Sequence, residues 1–165
     1  ALRATEFDLS KLLEGSLEDA RILGAGDNLQ IETNVPETLP MNGDQEMISL
    51  TLQNLVENAV KYNRPGGRIL ISAEIHDHVV QICVGNSGPG IPPERAPNVF
   101  ERFYRSPRHA GAVSGSGLGL WIARALIQAG GGTIRAFSAG PGHGARFSIT
   151  LPVDTQPASE DDADE

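Results

Sequence analysis

A glycine-rich segment in the last third of the chain is the first candidate for chemistry. Glycine stands at every second position at Gly115, Gly117 and Gly119, and apolar residues with helical spacing follow without a break from Leu118. A glycine-rich turn that leads into a helix exposes free backbone N–H groups, to which the helix dipole adds partial positive charge. Such a segment can bind phosphate, but glycine serves tight bends equally well. The pattern alone leaves both interpretations open.

A second candidate is a polar stripe on a helix predicted to begin near Asp44. At about 100° per residue, the side chains of Asn54, Asn58 and Lys61 fall on one narrow stripe, whereas Glu57 lies well off it. The apolar residues of the same helix form a separate stripe: Ile48, Leu52, Leu55, Ala59 and Tyr62. An amide oxygen can ligate Mg²⁺ without adding charge, and an ammonium group can bind a phosphate oxygen. A plain solvent-exposed face would have the same composition, so the stripe alone does not distinguish a binding site from an ordinary surface.

Two β-hairpins are predicted for the sheet that would support these segments. The first turns at residues 76–78 and the second at residues 140–142. Their alternating apolar and small residues are Ile69, Ile71, Ala73, Ile75, Val80, Ile82, Val84, Ile134, Ala136, Ser138, Phe147, Ile149 and Leu151. One apolar and one polar face on each strand is typical of antiparallel sheets that are packed on one side only.

Three helices are predicted to cover the apolar face of this sheet. The first begins after Asp8 and ends near Gly24, the second begins near Asp44, and the third follows the glycine-rich segment. The third has its apolar stripe at Leu118, Ile122, Ala125, Leu126 and Ala129. A short strand is expected around Ile31, and a loop at Pro36 and Pro40. The predicted fold class is α/β, a two-layer sandwich whose mixed, mostly antiparallel sheet is covered on one face by about three helices.

Composition narrows the function classes. The 165 residues fit one domain, predicted at residues 1–152, with an acidic, disordered tail at residues 153–165. A net charge of −8 argues against nonspecific binding to nucleic acid and against direct contact with anionic membranes. The single Cys83 can form no disulfide within the chain, and nothing resembles a signal peptide or a transmembrane span. A cytoplasmic location is therefore predicted.

Four segments, in a characteristic order, resemble the motifs of the ATP-binding catalytic domain of bacterial sensor histidine kinases. Residues 54–62 (NLVENAVKY) are similar to the N box and residues 84–92 (VGNSGPGIP) to the G1 box. Residues 99–105 (VFERFYR) are similar to the F box and residues 115–120 (GSGLGL) to the G2 box. The resemblance covers roughly residues 6–152. It implies the Bergerat fold, which gyrase-type topoisomerases, mismatch-repair ATPases and a large heat-shock chaperone share.

The resemblance implies ATP and Mg²⁺ as cofactors and assigns roles to the matching residues. Asn58 would ligate the metal, with Asn54 beside it, and Lys61 and Tyr62 would face the nucleotide. Arg102 and Arg105 would reach the phosphates when a lid at about residues 92–116 closes over them. The residues implied in nucleotide binding are Asn58, Tyr62, Asn86, Gly88, Gly90, Ile91, Gly115, Gly117, Leu118 and Gly119. Those implied in catalysis are Asn54, Lys61, Arg102 and Arg105.

Two residues depart from the pattern of this family around the nucleotide base. Asn86 stands where the family usually has an Asp that accepts a hydrogen bond from the adenine amino group, and Ala145 stands where Thr or Ser is usual. An amide oxygen can still accept that bond, without the charge-assisted component. An amide can also rotate and donate to the carbonyl oxygen of guanine, so weaker discrimination against GTP is expected.

A phosphoacceptor histidine on a dimerising helical hairpin is missing from this sequence. His76 is followed by Asp77, as phosphoacceptors often are followed by an acidic residue, but the pair lies in a predicted tight turn; His109 and His143 lie in loops. The predicted function is therefore the catalytic domain of a two-component histidine kinase. It would transfer the γ-phosphate of Mg-ATP to a histidine on a separate dimerisation domain of a membrane-anchored parent protein. A response regulator would be an indirect partner, through that domain. The alternatives are a nucleotide-binding pseudokinase, an anti-sigma-type serine kinase and an ATP-hydrolysing machine of the chaperone or mismatch-repair type.

Overall fold

The computed structural model describes residues 4–88, 119–138 and 144–153. Seven strands and three α-helices follow one another in these ranges. Their bounds are β1 Thr5–Asp8, α1 Leu9–Gly24, β2 Gln30–Asn34, β3 Pro40–Gly43, α2 Gln45–Lys61, β4 Arg68–His76, β5 Val79–Asn86, α3 Gly119–Ala129, β6 Thr133–Phe137 and β7 Ala145–Pro152. A single 3₁₀ turn at Ala25–Asp27 follows α1.

The main sheet has five strands in the order β2-β4-β5-β7-β6. The β2 strand runs parallel to β4, and the other pairs are antiparallel, which confirms the predicted mixed sheet. The hairpin between β4 and β5 turns on Asp77 and His78, whose φ angles are 50° and 64°. Both residues thus adopt the left-handed conformation that two-residue hairpin loops require.

A second, two-stranded sheet pairs β1 with β3, and neither strand was expected from the sequence. The prediction of a loop through Pro40 is wrong, because β3 begins at that residue. A proline can occupy the first position of a strand, where its missing N–H costs no ladder bond. Four-residue strands are also too short to show a periodic pattern. The β3 strand is joined to the main sheet where Asn42 N–H donates to the Val153 carbonyl oxygen at 2.9 Å.

Aspartate side chains cap the N-termini of both long helices, at the starts that the sequence predicts. Asp8 accepts from the Ser10 N–H at 3.0 Å and from the Leu39 N–H at 2.9 Å. Asp44 accepts from the Met47 N–H at 3.0 Å. The bonds from Ser10 and Met47 satisfy backbone donors that the first turn of each helix leaves free, and the bond from Leu39 ties the segment before β3 to the start of α1.

The core lies between the helices and one face of the main sheet. Its fully buried large residues are Leu9, Leu13, Leu39, Ile48, Leu52, Leu55, Ile69, Ile71, Ile82, Ile127, Ile149 and Leu151. The predicted stripe on α3 is wrong in part: Ala123 and Ile127 are buried, whereas Ile122 and Ala125 are exposed. Apolar residues surround α3 on nearly every side, so their spacing alone does not identify the buried face.

Candidate nucleotide-binding site

The α2 helix presents the predicted polar stripe beside a fully formed apolar one. Asn54 and Asn58 are half-buried and Lys61 is exposed. All of the predicted apolar residues up to Ala59 are buried, and Tyr62 is half-buried at the C-terminal cap. The apolar stripe anchors the helix on the core. Because the helix is anchored in this way, the positions of the two asparagine side chains at the edge of the core are fixed as well.

The amide of Asn58 has one defined orientation. Its Nδ2 donates to the backbone carbonyl oxygen of Asn54 at 3.1 Å, so Oδ1 points away from the helix backbone. Within the described ranges, no hydrogen-bond donor reaches this Oδ1. A neutral oxygen held in this way can ligate a hard cation such as Mg²⁺, which takes few protein ligands and keeps phosphate oxygens and waters for the rest. The residue therefore fits the metal role that the sequence suggests.

The beginning of α3 lies directly against the two asparagines. A Cβ atom on Gly119 would lie 3.6 Å from Oδ1 of Asn54 and 3.8 Å from Nδ2 of Asn58. The first turn of a helix carries N–H groups without intrahelical partners and the positive end of the dipole. Two segments more than 50 residues apart in sequence thus bring together amide groups that could ligate a cation and a helix end that could bind an anion.

Glu57 lies away from this place, as expected. Its side chain accepts from Nε2 of Gln53 at 3.5 Å. Both residues line a shallow groove of about 210 Å³ between α1 and α2, together with Asp19, Ile22 and Leu23. Glu57 is therefore not placed to act on a ligand at Asn58 and Gly119.

Asn86, at the end of β5, is held by two hydrogen bonds. Its Oδ1 accepts from the Ala145 N–H at 3.0 Å, and its Nδ2 donates to the Ala59 carbonyl oxygen at 3.3 Å. Rotating the amide by 180° would set donor against donor and oxygen against oxygen. The expected rotation toward guanine is therefore opposed by the protein itself. One N–H of Nδ2 and one lone pair of Oδ1 have capacity for a further partner.

The backbone around position 88 requires glycine there. A Cβ there would lie 2.5 Å from the Tyr62 carbonyl oxygen, and the φ angle of 151° is one that other residues rarely adopt. The Gly88 carbonyl oxygen accepts from the Gly144 N–H at 3.2 Å. The close approach expected to serve the adenine is thus also needed to pack the β5 end against α2.

Sequence reasoning missed the residues that fix this end of β5. Ser87 Oγ donates to Oδ1 of Asn63 at 3.0 Å and accepts from the Arg68 N–H at 2.7 Å. Asn63 Nδ2 in turn donates to the Arg68 carbonyl oxygen at 3.0 Å. A Cβ on Gly67 would collide with Asn63 and lie 2.6 Å from Ser87 Oγ. The only signal was the Pro65-Gly66-Gly67 turn, which predicts a bend but not its partners.

Several predicted site residues lie outside the described residues. They are Gly90, Ile91, Arg102, Arg105, Gly115, Gly117 and Leu118, together with the predicted lid at residues 92–116, His109, His143 and the acidic tail from residue 154. Within the described ranges, no group of three or more His, Cys, Asp or Glu residues is arranged to hold a metal ion. Over the same ranges, no helix has the length and apolarity needed to cross a membrane.

His76 ends β4, and its Nε2 lies 3.1 Å from Oε2 of Glu74. The following Asp77 begins the tight loop to β5. The His-Asp pair therefore stands on a hairpin and not on a helix, as the sequence predicts.

Comparison with known proteins adds to this geometry. The family model of histidine kinase-, DNA gyrase B- and HSP90-like ATPases matches residues 43–155. The sensor-like histidine kinase SenX3 of Mycobacterium tuberculosis H37Rv is 33% identical over 150 residues, which is 90% of this chain and 36% of SenX3. The chain thus spans about a third of the length of this relative.

Solved structures that share the fold include those of ShkA and ThkA. Full-length ShkA in complex with AMPPNP has a TM-score of 0.83 and 29% identity, over 96% of this chain and 33% of ShkA. Histidine kinase ThkA in complex with the response regulator protein TrrA has a TM-score of 0.78 and 28% identity, over 92% of this chain and 42% of ThkA.

Proposed function

We propose that this chain, which belongs to the family of histidine kinase-, DNA gyrase B- and HSP90-like ATPases, is a catalytic domain. Specifically, it is the ATP-binding catalytic domain of a two-component sensor histidine kinase. It binds Mg-ATP and presents the γ-phosphate to a histidine on a separate phosphoacceptor domain of its parent protein. The observation that carries this proposal is the contact between the first residue of α3 and the asparagine pair on α2.

The residues around this place would divide the binding of Mg-ATP among them. The Oδ1 of Asn58 would hold Mg²⁺, which would neutralise phosphate charge. The ammonium of Lys61 and the N–H groups at the start of α3 bind phosphate oxygens. Phosphoryl transfer depends mainly on positioning and on charge neutralisation, and these groups supply both. Arg102 and Arg105 add positive charge from the segment that follows the G1 box.

The attacking nucleophile comes from another domain. A neutral imidazole has a free nitrogen lone pair and needs no base to remove a proton before it attacks. The proposed partners are the phosphoacceptor dimerisation domain and, through it, a response regulator; ThkA, which shares this fold, forms a complex with the response regulator protein TrrA. We propose that the domain works in the cytoplasm, under a membrane-anchored parent.

Asn54 distinguishes this function from ATP hydrolysis by a chaperone-type machine. Members of that type resemble this helix but carry Glu at the matching position, where a carboxylate can activate water. An amide cannot accept that proton. The similarity to the sensor kinase SenX3 over 90% of the chain likewise does not favour the serine kinase or pseudokinase alternatives.

Substitutions at Gly119 test the phosphate-binding part of the proposal. A leucine there would add a bulky side chain beside Asn54 and Asn58, whose amide groups lie 3.6 and 3.8 Å from a Cβ on Gly119 and which form part of the proposed phosphate site. We expect Gly119→Leu to weaken Mg-ATP binding at least about tenfold, since a phosphate contact of charge-assisted strength is lost, and Gly119→Ala to weaken it less. Isothermal titration with a nonhydrolysable ATP analogue measures both.

Gly15→Leu is the matched control, because Gly15 lies on α1 with no atom within 4 Å of an added Cβ. It should bind nucleotide as the unmodified chain does. Equal affinity of Gly119→Leu and Gly15→Leu would contradict the proposed phosphate site.

A further inference from the structure

The last turn of α2 has a carbonyl group that the helix itself does not satisfy. The N–H that would normally bond to the Ala59 carbonyl oxygen belongs to Asn63, but it donates to Val60 at 3.3 Å. Among the described residues, the donor that reaches the Ala59 oxygen is Nδ2 of Asn86, at 3.3 Å. A side chain from the sheet therefore caps the C-terminal end of the helix.

The same amide is tied to the neighbouring strand. Asn86 and Ala145 stand opposite each other in the β5–β7 pair, and the Ala145 N–H donates to Oδ1 of Asn86 at 3.0 Å. The Asn86 side chain of β5 thus forms hydrogen bonds with both α2 and β7. The arrangement needs one donor and one acceptor at fixed places, which an amide has and a carboxylate does not.

We infer that Asn86 is a positioning residue that sets the last turn of α2 against the β5–β7 strands, in addition to any contact with the base. This inference rests on the proposed function. Asn58 precedes Ala59 directly, and Lys61 and Tyr62 follow within the same turn. The bond to Ala59 therefore fixes the metal ligand and the phosphate-binding lysine relative to the strand that ends in the base-binding segment. An Asp at this position would place its oxygen against the Ala59 carbonyl oxygen.

Hydrogen exchange of single backbone amides in the nucleotide-free protein tests the structural half of the inference. Asn86→Asp keeps the acceptor for Ala145 and removes the donor to Ala59, whereas Asn86→Ala removes both. We expect the Tyr62 and Asn63 amides to exchange about five- to tenfold faster in both variants. The Ala145 amide should exchange faster in Asn86→Ala alone.

Asn34→Asp is the charge-matched control, since Asn34 is exposed on the edge strand β2. Its Tyr62 and Asn63 amides should exchange as in the unmodified protein. If these two amides exchange equally in Asn34→Asp and Asn86→Asp, Asn86 does not hold the helix end and the inference is overturned.

A double-mutant cycle tests whether the base side and the metal side of the site are coupled. Mg-ADP affinity is measured for Asn86→Ala, which removes both hydrogen bonds without adding a charge, for Asn58→Ala and for the double variant. If Asn86 acts through the position of Asn58, the double variant should lose about threefold less affinity than the product of the two single losses. Losses that multiply would overturn coupling. The exchange experiment needs no nucleotide, so failure of Mg-ADP to bind the unmodified chain would count against the proposed function alone.

Discussion

Asn58→Ala should weaken Mg-ATP binding by about 10–100-fold, which is the usual cost of disturbing a metal site. The substitution removes the oxygen that faces away from the helix backbone, so water would take its place on Mg²⁺ and the proposed link between the protein and the metal would be lost. Alanine is the best helix former, and Asn58 is only half-buried, so α2 should stay folded. Titration of ATP with Mg²⁺ and with EDTA separates the metal-dependent part of the affinity.

Asn34→Ala is the matched control for this experiment, because it removes the same side chain from an exposed strand position. It should leave both affinities unchanged. The EDTA affinity of Asn58→Ala should also stay close to that of the unmodified chain. A Mg²⁺-dependent affinity that is the same in Asn58→Ala and Asn34→Ala would remove Asn58 from the metal site.

Gly144→Ala should destabilise the domain by about 3 kcal/mol or more. Gly144 has a φ angle of 77°, and its Cβ would collide with the carbonyl oxygen of Asn86 and lie 3.0 Å from the Ser87 Cα. Both neighbours are backbone atoms of the strand end that the site depends on, so neither can move cheaply. A loss of this size lowers the midpoint of thermal unfolding by roughly 6–12 °C in a domain of this length.

Gly66→Ala separates the two causes. Gly66 has nearly the same φ angle, 73°, but nothing lies within 4 Å of an added Cβ. It should therefore cost only the left-handed backbone strain, about 1–2 kcal/mol. Equal unfolding midpoints for the two variants would mean that the contact between Gly144 and Asn86 is not tight.

Strong local signals made most of the fold predictable from the sequence. Asp8 and Asp44 precede helical apolar patterns, and they cap α1 and α2 in the structure. Alternating residues predicted both hairpins of the main sheet. The β1–β3 pair was not predictable, because its stability comes from pairing with segments distant in sequence and not from a pattern of its own.

Part of the candidate site was also predictable from the sequence, and part was not. The polar stripe of Asn54, Asn58 and Lys61 follows from helix geometry, and the sequence was sufficient to find it. The hydrogen bonds of Asn86 were not predictable, because its partners are a helix carbonyl and a strand N–H from two other parts of the chain. Sequence reasoning assigned Asn86 to the base alone, since a motif records residue types but not their backbone partners.

Phosphate transfer between separate chains tests the central claim most directly. The chain is incubated with radiolabelled Mg-ATP, alone and with the phosphoacceptor dimerisation domain of its parent, and acid-labile label is followed on both polypeptides. We expect label on the histidine of the added domain, little with Asn58→Ala, and none on this chain by itself, because His76 and His78 lie at a hairpin turn. Acid-labile label on the isolated chain, or an added domain that stays unlabelled while ATP binds, would contradict the account.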